Sequence, residues 1–374
     1  MAVVIGVLGS PDPAERRTPM VPDVAKKLRA QGAEIVMQRG AGAGAYLSEA
    51  DFPDVQWVNS ADEVLARADM LWTLSPPENA TLAQLKPGSV VVGLLQPYSS
   101  AERVQLLRDR NITAFAMELL PRISRAQSMD ILSSQGAAAG YQCVLIAAAF
   151  CPKFFPMLTY AAGTIRPARV LVVGAGVAGL QAIATAKRLG AMVEGYDVRP
   201  ETREQVESLG AKFVDTGVSA AGTGGYAREL TDEEKAQQAV KLGKAVAQAD
   251  VLITTAAVPG KRAPLIITAD MVRGMKPGAV VVDMAAETGG NVAGTLPNQD
   301  VWVGPVRLIG PVNLPSNMPV HTSEMFSKNL YNFISPFIKD GVLALDDTDE
   351  VLTGATLTAG GEVRHPTVKQ VLGL

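Results

Sequence analysis

Cysteine and histidine are scarce, with two of each in 374 residues. Two cysteines cannot build a disulfide framework. Cys143 and Cys151 stand eight positions apart in a helix-like run. That is about 12 Å along an axis rising roughly 1.5 Å per residue, too far to bridge. A reducing compartment fits this usage. With only His321 and His365, histidine chemistry has little room, and no metal site is expected. Long apolar runs are missing too: stretches such as Val144–Cys151 stop well short of the roughly 18–20 residues that span a bilayer. The opening MAVVIGVLGSPD has neither the charged start nor the cleavage site of a signal peptide. Charge of one sign does not dominate either, since 34 basic residues face 37 acidic ones for a net charge of -3. A general nucleic-acid binder carries a basic domain or stripe, so none is expected here. What is present is 48% apolar and 19% charged residues, enough for a large core and inconsistent with global disorder. At roughly 150 residues per domain the length makes two domains, at most three. The expectation is a soluble, cytoplasmic chain without a transmembrane segment.

Short β-branched runs alternate with Ala/Leu-rich helical stretches almost throughout, the pattern of parallel α/β domains. Strands are expected at Val3–Leu8, Glu34–Gln38, Met70–Leu74, Val90–Leu95 and Thr113–Met117, with helices such as Pro22–Ala30 and Ala101–Arg108 between them. A second series runs through Arg169–Val173, Met192–Tyr196, Val251–Thr254 and Val280–Asp283, and a small-residue helix, roughly Asp130–Phe150, separates the two. The fold class is therefore α/β, two Rossmann-like doubly wound parallel-sheet domains joined by long helices. Beyond Pro319 a helix is expected over Ser323–Phe337, its Phe326, Leu330, Phe333 and Phe337 packing back on the first domain. A polar hairpin-like tail follows around Ala359-Gly360-Gly361. The expected boundaries are 1–130 with 320–374 for the first domain and 131–319 for the second.

One segment is echoed. Ala68-Asp69-Met70-Leu71-Trp72-Thr73, then Lys86-Pro87-Gly88-Ser89-Val90-Val91-Val92, matches Ala249-Asp250-Val251-Leu252-Ile253-Thr254, then Lys276-Pro277-Gly278-Ala279-Val280-Val281-Val282. Duplication and the general likeness of α/β units account for it equally well.

The strongest chemical signal is Val170-Leu171-Val172-Val173-Gly174-Ala175-Gly176-Val177-Ala178-Gly179. An apolar strand runs into G-x-G-x-x-G and then a helix, Leu180–Leu189. The glycines permit a tight turn, close approach of backbone to a pyrophosphate and close helix–strand packing. The helix N-terminus offers free N–H groups to the phosphates. Asp197, 23 residues after Gly174, ends the next strand. Its carboxylate can accept ribose hydroxyls and would repel a 2′-phosphate, favouring NAD(H) over NADP(H). Arg199 pulls the other way.

A second, polar stretch runs from Arg122 to Gln135. It serves either to hydrogen-bond a carboxamide and ribose or as a solvated loop whose Asp130 or Ser128 caps the following helix. A third stretch, Gly217 to Thr231, holds Ala220-Ala221-Gly222-Thr223-Gly224-Gly225-Tyr226. It reads as a lid bearing Tyr226 or as a surface excursion.

Three signatures together carry a resemblance: Glu15-Arg16-Arg17-Thr18-Pro19, Pro121-Arg122-Ile123-Ser124-Arg125-Ala126-Gln127-Ser128-Met129-Asp130, and the glycine run. Gly289-Gly290-Asn291 and Asn329-Leu330 with Asn332-Phe333 fit as well. Over essentially its full length the chain resembles the alanine dehydrogenase/transhydrogenase family, and within it the NAD(H)-binding component (alpha subunit) of proton-translocating NAD(P)+ transhydrogenase. The resemblance implies that Arg122, Gln127, Asp130 and Ser133 contact the nicotinamide–ribose end of NAD(H), with Ile123, Ser124, Ser128 and Met129 completing that stretch. It places Gly174, Ala175, Gly176, Val177 and Gly179 on the pyrophosphate and Asp197, Val198 and Arg199 around the adenosine ribose. Gly225, Tyr226, Gln238 and Ala257 fall on the lid and adenine side. Catalytic weight falls on Gln127, Asp130 and Arg122.

The alanine dehydrogenases that this chain resembles use a lysine near the strand end at Leu71–Pro77 and a histidine after the next strand. Here the first segment has no lysine, and Leu95-Gln96-Pro97 carries glutamine. Oxidising an amino acid needs a base and a cation for the carboxylate; hydride exchange between two nicotinamides needs neither. The expected activity is therefore hydride transfer between NAD(H) on this chain and NADP(H) on a partner subunit, coupled to proton translocation by a membrane component. The implied assembly is a homodimer with an NADP(H)-binding subunit and separate membrane-spanning subunits, peripheral to the inner or plasma membrane. The rivals are a free-standing alanine-type dehydrogenase and a non-enzymatic NAD(H)-sensing module.

Overall fold

The computed structural model describes residues 2–220, 228–258 and 260–374. It divides into two compact units, Met1–Gln135 with Ser316–Leu374, and Gly136–Pro315.

The first unit is built on an eight-stranded sheet. Its strands β1 Val4–Val7, β2 Glu34–Gln38, β3 Gln56–Val58, β4 Met70–Thr73, β5 Val90–Gly93 and β6 Thr113–Ala116 lie in the order β3-β2-β1-β4-β5-β6. All six run parallel, and a C-terminal hairpin, Thr356–Ala359 with Glu362–Val363, extends the sheet antiparallel beyond β6. The central strands are unbroken apolar runs because both faces are covered. Ile5, Met70, Val92 and Phe115 share one core with Phe326, Leu330 and Phe333 of the helix Pro319–Ile334. Phe115 and Phe333 meet edge to face at 5.4 Å. On the other face Leu71, Val91 and Ala114 pack with Leu82, Leu85, Val104 and Leu107.

Two elements end at least two residues earlier than the sequence pattern suggests, while β1, β4 and β6 stop one residue short. β5 stops at Gly93 because the Leu95 and Gln96 amides donate to the Glu118 carboxylate, at 3.1 and 2.7 Å, rather than to a strand. Gln96 is also left-handed, with φ 46°. The C-terminal helix begins at Pro319, suited to a first helical position. It gives way at Ile334 to a short 3₁₀ turn, Ser335–Phe337, around Pro336.

The second unit carries β7 Arg169–Val173, β8 Met192–Tyr196, β9 Lys212–Phe213, β10 Val251–Thr254, β11 Val280–Asp283, β12 Gln299–Val303 and β13 Val306–Gly310, in the order β9-β8-β7-β10-β11-β13-β12. Every neighbouring pair is parallel except β12 with β13. Val251 stands opposite Val170 on one side and Val280 on the other. Every residue of β10 and β11 is buried.

The long helix runs over Ile131–Phe150, within one residue of the expected span. It is 20 residues long and apolar enough, by length and composition, to cross a membrane. A count of uninterrupted apolar runs passes over that length because Ser133, Ser134, Gln135 and Gln142 interrupt it. Its later residues Cys143, Val144 and Ala147 lie in the core of the second unit, with Val172 and Ala182, as a core helix requires. Burial pushes the Cys143 thiol well up, so it behaves as a small apolar side chain.

Candidate functional site

The glycine run forms the tight turn its spacing predicts. β7 ends at Val173, Gly174 takes φ 95°, and the helix Val177–Arg188 starts directly behind Gly176. No side chain caps this helix, so its first N–H groups are presented to whatever lies before the turn. Gly179 packs so closely that a Cβ there would lie 1.7 Å from the Gly174 carbonyl oxygen. A Cβ on Gly174 would come within 2.8 Å of Thr255 Oγ1 and 3.0 Å of the Ala256 nitrogen. The cradle thus exists only without side chains at both positions, and its half-exposed edge is Val177. This is the shape and polarity that a pyrophosphate requires.

Asp197 follows β8, one residue beyond Tyr196. Its carboxylate accepts the Ala175 amide at 2.8 Å, so the acid and the turn are one assembly. Arg199 closes on the same carboxylate through its backbone amide at 2.9 Å, Nε at 2.9 Å and Nη2 at 2.7 Å. The two residues weighed against each other in the sequence form an ion pair. Beside them lies a cavity of about 240 Å³ lined by Asp197, Val198, Arg203, Phe213, Asp215 and Thr216 among others. Arg203 lies 4.7 Å above the Phe213 ring and pairs with Asp215 at 2.5 Å. Hydrogen bonds from the Gly217 amide and then Arg203 hold the Asp215 carboxyl below the ordinary carboxylate range.

Gln238, on the helix Asp232–Gln248, is buried and donates its amide to the Tyr196 hydroxyl at 2.6 Å. Burial raises the Tyr196 phenol against that bond. Ala257 is exposed on the loop that leaves β10. Gly225 and Tyr226 lie outside the described residues.

In the first unit the polar stretch is a 3₁₀ turn, Ser124–Met129, entering the long helix. Ala126 and Met129 anchor it in the core. Asn329 and Asn332, on the helix Pro319–Ile334, both donate to the Ser128 carbonyl, at 2.9 and 3.0 Å. Asn329 also accepts the Ser134 hydroxyl at 2.7 Å. Asp130 caps the long helix, taking the Ser133 amide at 2.9 Å and its hydroxyl at 2.5 Å. Arg125 is occupied by a two-pronged pair with Asp349 at 2.7 and 2.6 Å. Gln127 is left exposed, with no described residue hydrogen-bonding its side-chain amide, while Arg122, Ser124 and Ser128 are exposed beside it and Ile123 is half-buried. Behind the turn, Gln135 accepts Arg17 at 2.8 Å, and Arg17 pairs with buried Glu15 at 2.6 Å. The Glu15-Arg16-Arg17-Thr18-Pro19 signature therefore serves to brace the start of the long helix.

Where an alanine dehydrogenase would need its histidine, Gln96 sits on the bend held by Glu118. Burial raises that carboxyl, against the Gln96 and Leu95 amides and the charge of Arg103. His321 is exposed on the C-terminal helix, and His365 precedes the last helix with Nδ1 buried and unpaired. Neither belongs to the constellations above. Sequence reasoning missed Thr255, Asp283 and the role of Asn291 behind the glycine turn. The only signal was Gly289-Gly290-Asn291, which periodicity reads as an ordinary turn.

Residues 7–139 match the family model described as alanine dehydrogenase/PNT, N-terminal domain, and residues 143–366 match its C-terminal domain counterpart. An NAD(P) transhydrogenase alpha-subunit protein of Rhodospirillum rubrum is 44% identical over 367 residues, covering 95% of this chain and 96% of that protein. Among solved structures, the transhydrogenase from Sinorhizobium meliloti superposes with a TM-score of 0.85 at 36% identity, covering 97% of this chain and 99% of that one. An L-alanine dehydrogenase superposes at 0.81 with 25% identity, covering 99% of each.

Proposed function

The chain belongs to the alanine dehydrogenase/PNT family, among its NAD(P) transhydrogenase alpha subunits, and from that premise we propose that it binds NAD(H) and exchanges a hydride with NADP(H) held by a partner subunit. The observation that carries this reading is the side-chain-free turn Gly174–Gly179, joined through Ala175 to Asp197. The turn would take the pyrophosphate and Asp197 the adenosine ribose, with Val198 and Arg199 beside it. Arg122, Gln127, Asp130 and Ser133 would serve the nicotinamide–ribose end. NADH supplies a hydride from C4 of its ring, and moving it to C4 of a second nicotinamide exchanges no proton. The protein's role is then to hold the reacting atoms about 3–3.5 Å apart and exclude water. Gln127, exposed on a turn braced by Asn329 and Asn332, is suited to fix the ring's carboxamide.

Proton translocation would belong to separate membrane-spanning subunits. Association of two copies is favoured by the hairpin Leu158–Tyr160 with Gly163–Ile165, which with Phe154 and Met157 exposes Tyr160 and Ile165. A two-stranded hairpin is marginal alone, and an exposed apolar patch calls for a cover.

The test is single-turnover transfer from NADH to an NADP+ analogue in the reconstituted complex. Gln127→Asn shortens the reach by one methylene, and transfer should slow by roughly 10- to 100-fold with NADH affinity nearly unchanged. Alanine-dependent NADH production by the chain alone would point to a dehydrogenase instead. NADH binding with no transfer under any partner would leave a sensing module.

A further inference from the structure

We propose that Asn291 is a positioning residue for the dinucleotide: it clasps the loop leaving β10 and so sets the backing against which the glycine turn rests. This goes beyond the NAD(H) reading but depends on it. β10 loses its partner at Thr254, where its pairing with β11 ends at Asp283. Two residues on, the Asn291 side chain takes the place of a strand. Its Oδ1 accepts the Ala256 amide at 3.0 Å, and its Nδ2 donates to the Ala256 carbonyl at 2.8 Å. The same Nδ2 donates to the Pro264 carbonyl at 2.9 Å. One amide therefore holds the backbone at Ala256 and at Pro264 together. The Asn291 backbone carbonyl adds the Ile266 and Ile267 amides, each at 2.9 Å.

The clasp is itself held. Asp283 and Asn291 are both fully buried. The Asp283 carboxylate accepts five donors: the amides of Asn291 at 2.8 Å, Val292 at 3.0 Å and Ala285 at 3.1 Å, and the hydroxyls of Thr295 at 2.7 Å and Thr254 at 2.9 Å. Buried polar groups so fully paired keep one geometry, because any alternative strands a donor or acceptor away from water. The other end of the chain of contacts is the turn. Thr255 donates its hydroxyl to the Gly174 carbonyl at 3.0 Å, and the Ala256 nitrogen lies 3.0 Å from where a Gly174 Cβ would stand. No slack lies between Asn291 and Gly174, so a shift at Ala256 passes to the backbone amides that would meet a diphosphate.

The experiment uses the full chain with three probes: NADH, ADP and adenosine. Adenosine lacks phosphate and reports only the Asp197 side. In Asn291→Ser, NADH and ADP should weaken by about tenfold while adenosine stays within about twofold, since a misplacement well under 1 Å already costs that much. A purely structural role would lower thermal stability and leave the ratio of ADP to adenosine affinity unchanged. Thr255→Val removes the hydroxyl link at nearly constant volume and should produce the same selective loss, about threefold; if Asn291→Ser does not fold, this variant decides alone. Equal losses for ADP and adenosine, or none, would overturn the proposal. Wild-type protein that binds neither NADH nor ADP would overturn the functional reading, and this inference with it.

Discussion

The strand order β3-β2-β1-β4-β5-β6 in the first unit and β9-β8-β7-β10-β11-β13 in the second traces one path twice. The same device closes both sheets at their N-terminal ends. Asp69, before β4, accepts the Val4 amide at 3.0 Å and faces Lys86 at 3.6 Å. Asp250, before β10, accepts the Arg169 amide at 2.9 Å and faces Lys276 at 2.9 Å, with Lys153 added at 2.7 Å. The opposite ends differ. After β1 the chain reads Leu8-Gly9-Ser10-Pro11, and a Cβ on Gly9 would meet nothing nearer than Gln38 Oε1 at 3.5 Å. After β7 neither Gly174 nor Gly179 has room for one. A shared path says little about ligands; the chemistry sits in the turn placed on it. The paired aspartate–lysine device is the structural form of the sequence echo.

The contrast between the turns should produce the largest effect. Gly179→Ala forces a side chain against the Gly174 carbonyl and should weaken NADH binding by about 100-fold or more, equivalent to roughly 2.7 kcal/mol. Gly9→Ala should leave NADH binding unchanged. Titration by intrinsic fluorescence checks both, and a loss of equal size in the two variants would erase the distinction.

The two aspartates should differ in the same direction but less. Asp250 is buried and hydrogen-bonded to charged partners, so Asp250→Asn should cost about 2 kcal/mol in urea unfolding. The half-exposed Asp69 pair should cost about 0.5 kcal/mol. Burial raises the Asp250 carboxyl, but bonds from Lys153, the Arg169 amide and Lys276 outweigh it, leaving the net direction downward. A folded value below the unfolded one, about 3.9, contributes stability that is fully present above that pH. The contribution is lost as pH falls through the lower, folded value. The acid limb of stability should therefore flatten in Asp250→Asn, and an unchanged limb would show that the lysines do not hold this carboxylate.

The last contrast concerns cofactor preference. NADH should bind more tightly than NADPH. Asp197→Asn should narrow that difference by about tenfold, since it removes the repelling charge and releases Arg199 toward a 2′-phosphate. Calorimetry with both nucleotides decides it; a preference unchanged or widened in Asp197→Asn would show that the Asp197 charge does not set the choice.

Most of the architecture was legible in the sequence because buried parallel strands are largely apolar: β7, β8, β10 and β11 begin and end where the sequence pattern places them. The antiparallel edge β12 with β13 was not, whereas the C-terminal pair Thr356–Ala359 with Glu362–Val363 was legible as the hairpin-like tail around Ala359-Gly360-Gly361. Edge strands alternate, as the mostly exposed β12 does, and carry no continuous signal. The glycine turn and Asp197 were legible because their chemistry is local. The Arg199 grip on Asp197 was not, although the two stand only two positions apart in sequence, because spacing does not say which way an arginine turns; the Gln238 bond to Tyr196, 42 residues away, leaves no mark in spacing at all. Asn291 was noticed only as one member of a signature; its role depends on Ala256 and Pro264, brought to it by the loop.

The most direct measurement is the number of NADH molecules bound per chain, by calorimetry on wild type and on Gly179→Ala. With one turn built for a dinucleotide and one not, wild type should bind about one per chain and Gly179→Ala none at the same concentrations. Two per chain, or full binding by Gly179→Ala, would contradict the account.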